Sequence, residues 1–269
     1  MKLSVVHETH YRYSSPVPLS HQLLHVTPRE LPWQRAQSHR LEVAPEPAEL
    51  EARDDYFGNR TVRMLIARPH DELLVRAESE VTVLARAGAA AAAAEPAEFL
   101  YESPHVETWR ELADYAAKSA PAARPPLEVA TDLMRRIHKD FRFDRTATSV
   151  STPLRQVMKQ KSGVCQDFAH LMTGALRSLG IPARYVSGYV LTAPPPGRPR
   201  LVGADASHAW VSVFAGEWID LDPTNNKVVD DEYVTLGWGR DFGDVTPMRG
   251  VILGGGEQRL EVRVTVTPL

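Results

Sequence analysis

Along the first residues, Leu3, Val5, His7, Thr9, Tyr11 and Tyr13 alternate with Lys2, Ser4, Glu8, His10 and Arg12. A period of two marks a half-buried strand, and Ser14, Ser15 and Pro16 follow as turn signals. Further strand-like runs lie at 22–27, 39–43, 61–67 and 72–84, with no helical pattern between them. Residues 1–85 are therefore expected to form a β-sandwich domain. The pattern breaks where six consecutive alanines, 89–94, supply no apolar stripe, so residues 86–98 read as a linker. A second domain is expected over 99–269.

In that second domain the period lengthens to that of a helix. Helices are expected at 106–118, 127–140 and 153–159, the last with Thr152 as N-cap and Pro153 at its first position. Strands are expected at 183–192, 245–253 and 260–267. The last two would close the second domain, joined by a hairpin turn at Gly254, Gly255 and Gly256. The proline- and arginine-rich stretch 193–203 leads to the strand bearing His208 and is a candidate rim for a substrate site.

The most regular helical pattern is GVCQDFAHLMTGALRSLG, Gly163 to Gly180. Phe168, Leu171, Met172, Ala175, Leu176 and Leu179 form one apolar stripe, and Gly180 and Pro182 stop it. Cys165, the single cysteine of the chain, falls in the first turn. Unpaired N–H groups and the macrodipole favour an anion there, so a thiol would ionise more readily than a free cysteine of pKa about 8.5. The bland alternative is a buried cysteine acting as a small hydrophobe.

A second stretch, SHAWVSVFAGEWIDLDPTNN, reads as a β-hairpin with a histidine on one strand and carboxylates on the next. With Phe214, Ala215 and Gly216 as a three-residue loop, Val211 opposes Ile219 and Ala209 opposes Leu221 on an apolar face. The other face then pairs Ser212 with Trp218, Trp210 with Asp220, and His208 with Asp222, Cβ atoms about 5 Å apart. A two-residue loop would turn Asp222 away from His208. Trp210 and Trp218 would flank the site or simply pack. His170, five residues after Cys165, points elsewhere on the helix, and Asp167 or Asp220 could replace Asp222 only if this register failed. Cys165, His208 and Asp222 thus make a nucleophile, a base and the group that orients the base.

Around these residues the sequence resembles the transglutaminase-like superfamily, in its bacterial branch with an additional N-terminal β domain. The resemblance rests on GVCQDFAH at Cys165, HAWV at His208 and WIDLDPTNN at Asp222. FRFDRTATSVSTPLRQVMKQKSGVCQDF, LGIPARYVSGY, GRDFGDVTP and, in the first domain, DYFGNR carry it over nearly the whole chain. It implies an α+β papain-like core, N-terminal helices packed on an antiparallel sheet, preceded by the β-sandwich, and a Cys165–His208–Asp222 triad. The activity implied is acyl transfer or hydrolysis at an amide, in a peptide or a glutamine side chain, through a thioester on Cys165. The superfamily also holds inactive members, so a noncatalytic protein-binding module is the alternative.

Composition narrows the partners. A formal net charge of −3 and a pI near 6.4, with no long basic block, argue against nucleic acid or an anionic membrane. One cysteine excludes an internal disulfide, and the N-terminus has no uninterrupted apolar segment, so a cytoplasmic setting is expected. The expected partners are a protein or peptide substrate and an amine as acyl acceptor. No cofactor and no metal is expected, since His21 and His25 at HxxxH spacing on a strand read as structural.

Overall fold

The computed structural model describes residues 1–85, 96–192 and 207–269. The stretch expected to rim a substrate site, 193–203, and most of the expected linker lie outside the described residues. The first domain opens with β1 (Lys2–Val17), β2 (Leu19–Leu24), β3 (Gln34–Ala44), β4 (Glu49–Asp54), β5 (Arg60–Ile66) and β6 (His70–Val83). The second contributes α1 (Arg110–Ala117), α2 (Pro126–Asp140), β7 (Arg142–Phe143), α3 (Leu154–Gln160), β8 (Ser162–Gly163) and α4 (Cys165–Ser178). It continues with β9 (Ala183–Val190), β10 (His208–Phe214), β11 (Trp218–Asp222), β12 (Lys227–Val228) and β13 (Tyr233–Gly239). The chain ends in β14 (Met248–Leu253) and β15 (Gln258–Pro268).

Two antiparallel sheets, ordered β15-β1-β6-β3 and β14-β2-β5-β4, enclose Tyr13, Leu24, Met64, Ile66, Leu73 and Val75. In β1 every odd position from Leu3 to Tyr13 except Tyr11 is buried, Tyr13 in this layer and Leu3, Val5 and His7 against the second domain. β14 and β15 correct the expectation that the last strands close the second domain. β14 pairs with β2 and β15 with β1, so the chain returns to complete the sandwich it began. Gly254, Gly255 and Gly256, at φ +74°, +89° and +61°, pass the chain from one sheet to the other instead of closing a hairpin. The three glycines do turn the chain, but the partners of the flanking strands lie over two hundred residues away.

The second domain is an antiparallel sheet, ordered β12-β11-β10-β9-β13, with α4 against β9 and β10 and the other helices around α4. Residues 167–177 of α4 are all buried, so the helix is enclosed on all sides rather than along the single stripe expected. Gly174 makes this enclosure fit: a Cβ there would come within 3.0 Å of the Glu107 carbonyl. The helix joins Ala209, Val211, Val213 and Leu221 of the β10–β11 face in one core. α3 begins one residue later than expected: Pro153 is its N-cap, and Thr152 Oγ1 instead accepts the Ser149 N–H at 2.9 Å. Fold class is thus α+β, helices packed on an antiparallel sheet behind a β-sandwich.

The domains meet at β13 and at a small apolar core of Leu3, Val5, Val81, Val83, Val264 and Val266 against Tyr189, Val234 and Leu236. His7 Nδ1 lies 2.7 Å from the Tyr189 hydroxyl within it. Among the described residues no strand pairs with the outer edge of β13, and side-chain amides take its place. Gln34 receives the Thr235 N–H at 2.7 Å and donates to its carbonyl at 2.8 Å; Asn59 does the same for Trp238, at 3.0 and 2.9 Å. The DYFGNR turn exists to present Asn59: Asp55 Oδ1 accepts the N–H groups of Phe57 and Asn59, and Gly58 takes φ +71°.

Candidate active site

Cys165 is the first residue of α4, preceded by extended Val164. Asp167 closes the helix start by accepting the Val164 N–H at 2.8 Å and the Thr148 hydroxyl at 2.6 Å. Burial raises the Asp167 pKa against those two bonds. Gly163 is required there because a Cβ would come within 2.6 Å of Asp167 Oδ2. Asp167 is therefore a cap, not an alternative to Asp222.

β10 brings in His208 and β11 brings in Asp222, but in a register two residues away from the one expected. Val211 faces Leu221, Ser212 faces Asp220, Val213 faces Ile219 and Phe214 faces Trp218. The loop is Ala215–Gly216–Glu217, with Gly216 at φ +91° in the middle rather than at the end. A shift of two leaves every side chain on its expected face, which is why the apolar pattern could not separate the registers. His208 and Asp222 meet diagonally rather than directly opposite, with Nε2 and Oδ2 2.7 Å apart. The same diagonal brings Trp210 Nε1 to Asp220 Oδ2 at 2.9 Å, so Asp220 is occupied by the indole. Trp210 packs beside the His208 ring, centroids 6.2 Å apart. Trp218 packs instead on Phe99, Phe214 and Arg184, away from His208.

Asp222 is fully buried and saturated with donors. Oδ1 accepts the Thr224 and Asn225 N–H groups at 2.8 and 3.2 Å; Oδ2 accepts Asn225 Nδ2 at 2.7 Å and the Tyr233 hydroxyl at 2.8 Å, besides His208. Burial alone would raise its pKa, but His208, Tyr233 and Asn225 hold it below the usual carboxylate value. For His208, burial works to lower the pKa, and hydrogen bonds and charge from Asp222 and Cys165 override it, pushing it up to about 10. Since Asp222 holds Nε2, the thiol of Cys165 is left to Nδ1.

The three residues singled out in the sequence are thus brought together from a helix start and two strands. Asn225 and Tyr233 were not foreseen. PTNN after Asp222 carried a turn signal that could have found Asn225. Nothing near Tyr233 marked it, because its partner lies across the sheet. His170 points away as expected: it stacks on His105 and accepts the Phe242 N–H through Nε2 at 3.1 Å. Burial drives its pKa down to about 3.

A helix-borne thiol, a strand-borne imidazole and a buried carboxylate on an α+β core define the class of cysteine–histidine–aspartate folds. Residues 3–82 match the bacterial transglutaminase-like N-terminal region and residues 113–223 the transglutaminase-like superfamily core. The chain belongs to the bacterial transglutaminase-like proteins that join these two regions. An uncharacterised Mycobacterium tuberculosis protein is 39% identical over 98% of this chain and 92% of its own length. A Pseudomonas aeruginosa protein-glutamine gamma-glutamyltransferase is 35% identical over 43% of this chain and 18% of its own. The crystal structure of a Cytophaga hutchinsonii protein, named as a candidate cysteine protease, superimposes with a TM-score of 0.80 at 21% identity. It covers 99% of this chain and 90% of that one, and shares the fold.

Proposed function

We propose that the protein is a cysteine-dependent enzyme of acyl transfer or hydrolysis at an amide, in a peptide or glutamine side chain, through a thioester on Cys165. The observation that carries this reading is the His208 ring held between the Cys165 thiol and the buried Asp222 carboxylate. The sulfur attacks the amide carbon while the proton resides on His208. The backbone N–H of Cys165, in the unpaired first turn of α4, faces the developing oxyanion. Collapse breaks the C–N bond, His208 gives its proton to the leaving nitrogen, and the acyl group remains on sulfur. Water or an amine then attacks the thioester, losing its proton to His208, and the thiol is restored. Asp222 keeps Nε2 protonated and the ring oriented throughout.

The test is incorporation of a fluorescent primary amine into a glutamine-rich protein, with ammonia release measured alongside. The native chain should turn over; Cys165→Ala should lose all turnover while its far-ultraviolet spectrum is unchanged. Ammonia without amine incorporation would assign hydrolysis. Turnover surviving in Cys165→Ala would overturn the reading.

A further inference from the structure

Strand β13 has two faces to its role. One of its residues, Tyr233, donates to the carboxylate of the proposed triad at 2.8 Å. Two residues on, Thr235 is gripped by Gln34 of the first domain, with the Arg29 N–H also reaching its carbonyl at 3.0 Å. Three residues further, Asn59 grips Trp238, and Gly237 leaves room for that amide: a Cβ there would fall 2.6 Å from Asn59 Oδ1. Each of these amides offers both a donor and an acceptor to one residue's backbone, which is what a neighbouring strand would offer. The first domain therefore pins the register of β13 at two points.

Register matters here because side chains alternate along a strand. A slip of one residue would carry the Tyr233 hydroxyl to the opposite face and away from Asp222. β13 already departs from regular pairing with β9 between Thr235 and Gly237, so its register is not set by β9 alone. At about 3.3 Å per residue, the Gln34 clamp sits only about 7 Å from the Tyr233 backbone.

We propose that Tyr233 is a positioning residue for the triad, and that the N-terminal sandwich acts on the site by holding β13 in the register that delivers it. This rests on the Cys165–His208–Asp222 reading above. Among the described residues, the groups near His208 and Asp222 are Cys165 from α4, Asp220 from β11, Asn225 from the following turn, Lys227 from β12 and Tyr233 from β13. Asp220 is taken by Trp210, and Lys227 by Asp230 and Glu232. Among the described residues, Tyr233 thus joins Asn225 as one of two neutral side chains that hold Asp222 against rotation about its own bond.

The test is the rate of alkylation of Cys165 by iodoacetamide across pH, which is clean because the chain has one cysteine. Tyr233→Phe should slow it about tenfold near neutrality, the worth of one hydrogen bond to a charged group. Loss of that bond raises the Asp222 pKa, so the acid limb of the profile should move to higher pH. Gln34→Ala should slow alkylation in the native background and add nothing in Tyr233→Phe, because it acts through that hydroxyl. Gln34→Glu, nearly the same shape without the amide donor, gives the same comparison should Gln34→Ala fail to fold. Independent, multiplying effects, or an unmoved acid limb, would overturn the inference. If His208→Ala also leaves alkylation unchanged, it is the triad reading that fails; if His208→Ala slows it and Tyr233→Phe does not, only this inference fails.

Discussion

His7 and His208 are both almost fully buried, and their surroundings push their pKa values in opposite directions. His7, at the domain seam, faces the hydroxyls of Tyr189 and Thr9, at 2.7 and 3.2 Å. Burial there goes unopposed and lowers its pKa to about 4. His208 faces a carboxylate and a thiol, which outweigh the same burial and raise it to about 10. Removing an imidazole from water therefore does not decide its charge. What decides it is whether the group placed beside it is neutral or anionic.

The comparison can be broken most severely at Cys165. His208→Ala should slow alkylation of Cys165 at neutral pH by about 100-fold or more, the usual worth of a positioned base; His7→Ala should leave that rate within twofold. The next test converts one histidine into the other. Asp222→Asn keeps the shape of the side chain and removes its charge, leaving only Cys165 to oppose burial, so the pKa of His208 should fall toward that of His7. Ring-proton NMR followed against pH measures this directly; a His208 still protonated above neutrality would place the charge elsewhere.

A smaller effect is expected at the seam. Tyr189→Phe leaves His7 Nδ1 buried without its partner and should cost about 1–3 kcal/mol in urea unfolding. The stability of the seam should also depend on pH. A histidine with a depressed folded pKa contributes stability above its unfolded value and loses it as pH falls through its folded one. For His7 that window runs from 6.5 down to about 4. For His208 the sign is reversed: its contribution is present below 6.5 and lost as pH rises through about 10. Stability of His7→Gln should accordingly fall less than that of the native chain between pH 6.5 and 4, measured by thermal unfolding.

Local periodicity carried much of the architecture. The alternation of β1 and the apolar stripe of α4 were plain because each repeats within a few residues. The same stripe placed Cys165 at a helix start. The β10–β11 hairpin was legible in its faces and not in its register, since Gly216 fits a three-residue loop either at the centre or at the end, and both solutions preserve alternation. What could not be read were contacts made at a distance. β15 pairs with β1 across almost the whole chain, and Gln34 reaches Thr235 across 201 residues. The first is set by the closure of the sandwich and the second by how the two domains stack, and glutamine has no local pattern that announces a strand edge. Tyr233 was invisible because its partner lies across the sheet, and β4, whose six residues are all exposed, had no buried face to reveal it.

The return of β15 to β1 also orders events in time. Leu3 pairs with Pro268, and the Leu269 N–H reaches the Lys2 carbonyl at 2.9 Å. A ribosome delivers the first six strands of the sandwich long before the last two, with the whole helical core synthesised between them. Until residue 268 emerges, β1 has only one of its two neighbours, and its other edge stays open along residues 3–13. The core can gather around α4 while the nascent sandwich is still incomplete. Its completion is a late step of biosynthesis, and interrupted translation would leave a chain with an exposed edge, open to association with other chains.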